Sequence, residues 1–147
     1  KNILLWRSSD ISEIERATAK GGNWIILIKS ATNVLKGDNF VFVYPEILQN
    51  KIIVRRGEVI TSEILEKKDL DFENINSKIN SLLKKTTDKI KSRGSIVNEI
   101  TTKGNFIKKI RDSIEVNLKN KYLIEVVSLK DSKTADPIIV ELNITQL

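Results

Sequence analysis

Hydrophobic positions change their spacing along the chain, and each spacing predicts a different element. A short Ile/Leu/Trp run at residues 2–6 ends in Ser-Ser-Asp, which predicts a buried strand followed by a turn. Residues 12–20 are too polar and irregular to assign. Between Gly22 and Gly37 apolar residues recur at helical spacing, with Asn23 and Gly37 suited to cap the two ends. A helix is predicted there, although residues 24–28 alone would suit a strand.

The next segment favours strands. Residues 40–44 are aromatic and β-branched and stop at Pro45, while residues 51–56 and 58–65 carry Ile and Val on either side of Gly57. We predict that these three runs form neighbouring antiparallel strands.

From Asp71 the spacing becomes helical and stays so up to Arg93 and Gly94. The apolar stripe consists of Phe72, Ile75, Ile79, Leu82, Leu83, Thr86 and Ile90. We expect this helix to pack on the protein's own sheet. The alternative is that the stripe, extended by Ile100, Ile107 and Ile110, binds a partner helix or a second copy.

A second helical piece is predicted from Ser95, interrupted at Gly104 and continued by Ile107, Ile110, Ile114 and Leu118. The alternation of Ile114, Val116 and Leu118 would also suit a strand. Residues 122–129 and 138–144 are strand-like and joined by a polar loop, so they predict an antiparallel pair. The expected fold class is α+β: a mixed or antiparallel sheet with strands from both chain ends and two to three helices on one face.

Composition narrows the chemistry. The chain has no His, Cys or Met, which removes the imidazole base, the thiolate nucleophile, the disulfide and zinc sites with N or S ligands. The 147 residues suit one domain, residues 1–147. No apolar run approaches the roughly 20 residues of a membrane span, and no leader pattern is present. We therefore expect a cytoplasmic protein without a membrane span, a catalytic site, a metal or a cofactor.

Charge is unevenly distributed. The net +6 arises in the second half, and between residues 78 and 121 twelve Lys or Arg accompany four acidic residues. One interpretation is a solvated face; the other is contact with the phosphates of DNA or RNA without base recognition. The candidate contacts are Lys84, Lys85, Lys89, Lys91, Arg93, Lys108, Lys109 and Arg111. Helical geometry puts Lys84 and Lys91 on one flank of the stripe, and Lys78, Lys85 and Lys89 on the other.

Other motifs are weaker. Glu46 together with Glu66-Lys67-Lys68 resembles the acidic residue and Glu-x-Lys pattern of metal-dependent nucleases of the restriction-endonuclease type, in which carboxylates hold a divalent cation. An exposed charged loop accounts for the same residues. Asp131 and Asp136 lack the spacing of a calcium loop and predict a polar turn.

Trp6 and Trp24 are expected to anchor the core, and exposure of either would indicate an interface. The leading hypothesis is a non-enzymatic protein that works by protein–protein association or self-association. A nucleic-acid-binding protein is the alternative, and a metal-dependent nuclease is third.

Overall fold

The protein has an α+β fold with strands from both chain ends, as predicted. The computed structural model describes residues 2–66, 69, 71–116 and 121–147, and of residues 72 and 114–116 it describes the backbone alone. Within these ranges three helices and nine strands form two compact units, residues 1–51 and 52–147, called here the N-terminal unit and the C-terminal unit. No helix in the described ranges is long and apolar enough to cross a membrane. A single domain over residues 1–147 stays a prediction.

The N-terminal unit is a three-stranded sheet with one helix. Its elements are β1 (Asn2–Leu5), α1 (Asp10–Ala19), β2 (Trp24–Ser30) and β3 (Phe40–Gln49). β3 is the central strand, parallel to β1 and antiparallel to β2, and α1 contacts β3. The strand predicted at residues 2–6 is thereby confirmed, but its expected burial is wrong, because all four residues of β1 are exposed.

The helix predicted between Gly22 and Gly37 is wrong. Residues 24–30 form β2, and residues 31–37 contain neither helix nor strand. The apolar run fits both a helical and a strand period. The seven residue pairs with β3 favour the strand, because they give the backbone hydrogen-bond partners and place the side chains on a sheet. The helix of this unit lies earlier, at α1, which begins at Asp10 and covers most of the unassigned residues 12–20. The buried Asp10 in its first turn accepts hydrogen bonds from the N–H and Nε of Arg7 at 3.1 and 2.9 Å.

Strand β3 passes through Pro45 instead of stopping there. Pro45 lies opposite Ile28 of β2 at a position where the two residues exchange no hydrogen bonds, so its nitrogen faces the β1 side. Pairing with β1 has already ended at Leu5 and Val43. The missing N–H therefore costs the sheet no ladder bond, which is why a central strand tolerates proline here.

The C-terminal unit contains a four-stranded sheet, a two-stranded ribbon and two helices. Its elements are β4 (Ile52–Val54), β5 (Val59–Glu66), α2 (Phe72–Ser92), β6 (Ile100–Thr102), α3 (Phe106–Val116), β7 (Lys121–Ser128), β8 (Ser132–Lys133) and β9 (Ile138–Gln146). The larger sheet has the order β5-β7-β9-β6, and β4 pairs with β8. The antiparallel pair β7–β9 is confirmed. The predicted neighbourhood of the strands at 40–44, 51–56 and 58–65 is wrong, because β3, β4 and β5 lie in three different sheets.

Helix α2 matches its prediction closely. The Asp71 side chain caps it by accepting a hydrogen bond from the Asn74 N–H at 2.8 Å. The described side chains of its apolar stripe are buried or, at Leu83, partly buried, and the helix contacts β5 and β7. This part of the stripe therefore packs on the sheet of its own unit and not on a partner helix. The stripe's described core side chains are Ile75, Ile79, Leu82 and Ile90.

The second helical piece begins later than predicted. Residues 95–99 are irregular, β6 follows, and α3 starts at Phe106. Asn105 caps α3, since its Oδ1 accepts a hydrogen bond from the Lys108 N–H at 3.0 Å. Ile110 is buried and Ile107 packs against the same core. The predicted continuation to Leu118 lies outside the described residues.

Candidate association surface

Exposed apolar side chains are concentrated on the N-terminal unit. Among the described residues, eleven of the fifteen large apolar side chains that are exposed lie between residues 3 and 40. Val43 is the one large apolar side chain of the described part of this unit that belongs to the buried core, against seventeen in the described part of the C-terminal unit. A unit of about fifty residues with so few buried groups has little core to stabilise it.

Strand β2 is an edge strand whose outer side has no partner strand among the described residues. The Ala31 N–H donates to the Phe42 oxygen at 2.8 Å and the Asn50 N–H to the Asn23 oxygen at 2.8 Å, which fixes the hydrogen-bonded pairs at the odd-numbered residues of β2. The even-numbered residues therefore direct their backbone N–H and C=O groups away from β3. These residues are Trp24, Ile26, Ile28 and Ser30.

The same even-numbered residues carry exposed side chains on one face of the sheet. Ile28 is 57% exposed, Ile26 39% and Trp24 36%. Ile25 and Leu27, which point to the opposite face, are half-buried. The outer border of β2 thus combines unpaired backbone groups with apolar side chains, a combination that serves as a template for another strand.

The one charge on β2 is neutralised within the unit. Lys29 forms an ion pair with Glu46 of β3. The hydrogen bond within this pair raises the pKa of Lys29 above its ordinary 10.5. Lys29 therefore stays protonated at neutral pH and remains bound to its own unit.

The Trp6 side chain does not anchor a core, contrary to expectation. It is 54% exposed and makes an edge-to-face contact with Phe42, with ring centroids 5.7 Å apart. Phe40 packs on Phe42 in the same way at 5.3 Å and is itself exposed. Trp24, the other expected anchor, is also exposed. Both tryptophans are therefore exposed, which is the condition under which the sequence predicts an interface.

A shallow cavity of about 530 Å³ lies beside Trp24, between α1 and the sheet. Its lining combines side chains of both charges with apolar ones: Glu13, Arg16, Ala17, Lys20, Trp24, Pro45 and Ile47. The Trp24 Nε1 donates to the Gly21 oxygen at 3.0 Å, which fixes the indole at the rim. Gly22 has φ +106°, a left-handed conformation that favours glycine, so the turn into β2 depends on it.

The basic residues predicted to bind nucleic acid divide into two groups. The flank of α2 that carries Lys78, Lys85 and Lys89 faces β5. Lys78 and Lys85 pair with Glu63 at 3.4 and 3.3 Å, and the Lys89 ammonium donates to the Ile60 oxygen at 2.6 Å. These cations already have partners in the fold.

Arg93, at the end of α2, also has an internal role. It donates to Glu58 at 2.6 Å and to the Ile53 oxygen at 3.2 Å. Burial opposes ionisation of Glu58, but the Arg55 N–H, the Arg93 guanidinium and nearby Lys89 outweigh it and lower the pKa of Glu58 below its ordinary 4.5. Arg93 thereby joins the end of α2 to the turn before β5.

The other candidate cations are exposed. Lys84 and Lys91, on the opposite flank of α2, have no hydrogen-bond or ion-pair partner among the described residues. On α3, Lys108 and Arg111 line a shallow cavity of about 450 Å³ with Asn105, Ile107 and Asp112, and Lys109 is exposed nearby. The eight residues thus share no common surface role, and their contact with nucleic acid stays a prediction.

The residues of the remaining motifs lie on different elements. Glu46 belongs to β3 of the N-terminal unit and Glu66 ends β5 of the C-terminal unit, while Lys67 and Lys68 lie outside the described residues. No group of three carboxylates in the described ranges is placed to hold a metal. Asp136 accepts from the Lys133 N–H at 2.8 Å, as expected of a polar turn. Asp131 instead accepts from the distant Arg56 N–H at 2.7 Å and so joins its loop to the turn between β4 and β5.

Comparison with known proteins finds no matching family model, no matching curated protein and no matching solved structure. The basis for a proposed function is therefore the set of exposed apolar side chains and the open edge of β2. Sequence analysis missed the β2 edge because it favoured a helix there. The signal that points to it is the unbroken aromatic and aliphatic run at residues 24–28, which was open to a strand.

Proposed function

We propose that this protein is a non-enzymatic binding protein that works by association with a protein partner, either a different chain or a second copy. The concentration of exposed apolar side chains on the N-terminal unit carries this proposal. Monomeric proteins rarely expose contiguous apolar patches beyond a few hundred Å², and larger ones indicate interaction sites.

The energetics support the same conclusion. Full burial of an isoleucine contributes about 1.5 to 3 kcal/mol, so covering the exposed half of each of these side chains contributes about 1 kcal/mol. A unit with few buried groups gains folding stability whenever a partner binds its folded form. Association would thus both recognise the partner and complete the hydrophobic core of the N-terminal unit.

Sedimentation velocity of the intact chain from about 1 to 100 µM tests the proposal, together with fluorescence of the hydrophobic dye ANS. We expect concentration-dependent association that Ile28→Glu, at a 57% exposed position of β2, weakens. Ile64→Glu is the matched control, because Ile64 is a 47% exposed residue of β5 in the C-terminal unit. A monomer that binds ANS through the N-terminal unit would support a partner of different sequence. A monomer that binds no ANS would overturn the proposal.

A further inference from the structure

The edge strands of this protein differ in how well they are protected against pairing with another chain. In the four-stranded sheet, β5 has an irregular register between Val59 and Thr61, and a lysine from α2 is bound to the Ile60 oxygen. A bulge of this kind discourages strand addition, and the bound lysine occupies a backbone acceptor. The other described edges are short: β1 has four residues, β4 and β6 have three each, and β8 has two.

Strand β2 has none of these protections. Its pairing with β3 is regular over all seven residues, it contains no proline, and Glu46 neutralises its single lysine. Long, regular and apolar edges of this kind are the ones on which other strands pair. Among the described edges, β2 is therefore the one suited to receive a strand.

We propose that β2 pairs antiparallel with β2 of a second copy, with Leu27 on the two-fold axis. This inference rests on the proposed function and names its partner. The order of the strands would then be β1-β3-β2-β2-β3-β1, a continuous six-stranded sheet with an isologous interface.

The register follows from the backbone. Antiparallel hydrogen bonds across the axis require the even-numbered residues of one strand to face even-numbered residues of the other, because these residues carry the outward N–H and C=O groups. A register centred on Leu27 meets this requirement and uses the whole strand. In this register Ile26 of each copy lies opposite Ile28 of the other. The exposed isoleucines of the two copies therefore cover each other.

Charge is compatible with this register. Lys29 faces the partner's Ile25, so no two like charges stand opposite each other. The two Lys29 positions lie four residues apart along the strands, about 13 Å, which exceeds the screening length of about 10 Å at 0.1 M salt. Each Lys29 is also bound to its own Glu46.

The absence of cysteine from the chain permits a direct test by disulfide cross-linking. Leu27→Cys places two thiols at a non-hydrogen-bonded pair with Cα atoms about 4.5 Å apart, within disulfide range. Ile25→Cys is the matched control, because Ile25 is half-buried on the same face of β2. Its two copies would be about 13 Å apart, beyond the roughly 7 Å limit.

We expect mild oxidation to convert Leu27→Cys to a covalent dimer at least ten-fold faster than Ile25→Cys. Equal rates, or no cross-link in Leu27→Cys, would overturn the inference. If the wild-type chain still associates in that case, the proposed function stands and only its partner strand is wrong. A wild-type monomer that binds no ANS would overturn both.

A second variant tests the edge without a thiol. Ile28→Pro removes an N–H that points away from β3, so the β2–β3 ladder loses no bond while the outer edge is blocked. We expect this variant to sediment as a monomer with the 222 nm circular dichroism of the wild type. A dimer of unchanged affinity would overturn the inference.

Discussion

Replacing Arg93 tests whether this residue stabilises the fold, as its contacts indicate, or serves nucleic-acid binding. A structural role predicts a measurable loss of unfolding free energy. Arg93→Met keeps an unbranched apolar stem but removes the bond to the Glu58 carboxylate at 2.6 Å and the bond to the Ile53 oxygen at 3.2 Å. Both bonds have the charged guanidinium as donor, and a hydrogen bond that involves a charged group contributes about 1.5 to 3 kcal/mol. Arg93 and Glu58 are 31% and 32% exposed, so solvent screening reduces the sum to about 2 kcal/mol.

Urea unfolding followed by circular dichroism at 222 nm measures this loss. With a slope of about 2 kcal/mol per molar urea, the unfolding midpoint should fall by about 1 M. Lys91→Met is the control, because Lys91 lies in the same turn of α2 without a partner among the described residues. Its effect should stay within about 0.5 kcal/mol.

The pH dependence of the Arg93→Met effect follows from Glu58. Because the pKa of Glu58 is lowered in the folded protein, its ionised carboxylate stabilises the fold above the ordinary pKa of 4.5. This contribution is lost as the pH falls through the lower folded pKa. The difference between wild type and Arg93→Met should therefore be largest at neutral pH and should shrink to about 1 kcal/mol in acid, where the Ile53 bond remains. A difference that matched Lys91→Met, or that did not change with pH, would refute the reasoning.

Two further predictions concern binding and cooperativity. If the basic segment binds polyanions, Lys84→Glu with Lys91→Glu should weaken binding to labelled duplex DNA and make its salt dependence shallower, as measured by fluorescence anisotropy, without changing the urea midpoint. Lys85→Glu would instead face Glu63 and lower stability, so a binding loss in that variant alone would not support polyanion contact. Both tryptophans lie in the N-terminal unit, whereas the longest described helix lies in the C-terminal unit. If residues 1–147 form one cooperative domain, the unfolding transitions followed by tryptophan fluorescence and by circular dichroism at 222 nm should have the same midpoint. Separate transitions would contradict the single-domain prediction.

The sequence by itself determined those elements whose hydrophobic pattern fits only one type of secondary structure. The stripe from Ile75 to Ile90 fits only a helical period over about four turns, so α2 and its buried face follow from local spacing. The strands β7 and β9 follow from β-branched runs with a polar loop between them, which brings neighbouring segments together antiparallel. The missing His, Cys and Met likewise restrict the chemistry whatever the fold.

Tertiary structure decided the rest. The run at residues 24–28 suits both periods, and pairing with β3, about twenty residues away, made it a strand. Spacing along α2 separated its lysines into two flanks, but only the position of β5 showed that one flank binds Glu63 and the Ile60 oxygen. The open border of β2 has the same cause: which strand lies at an edge depends on contacts between distant residues, and these are not written in local periodicity.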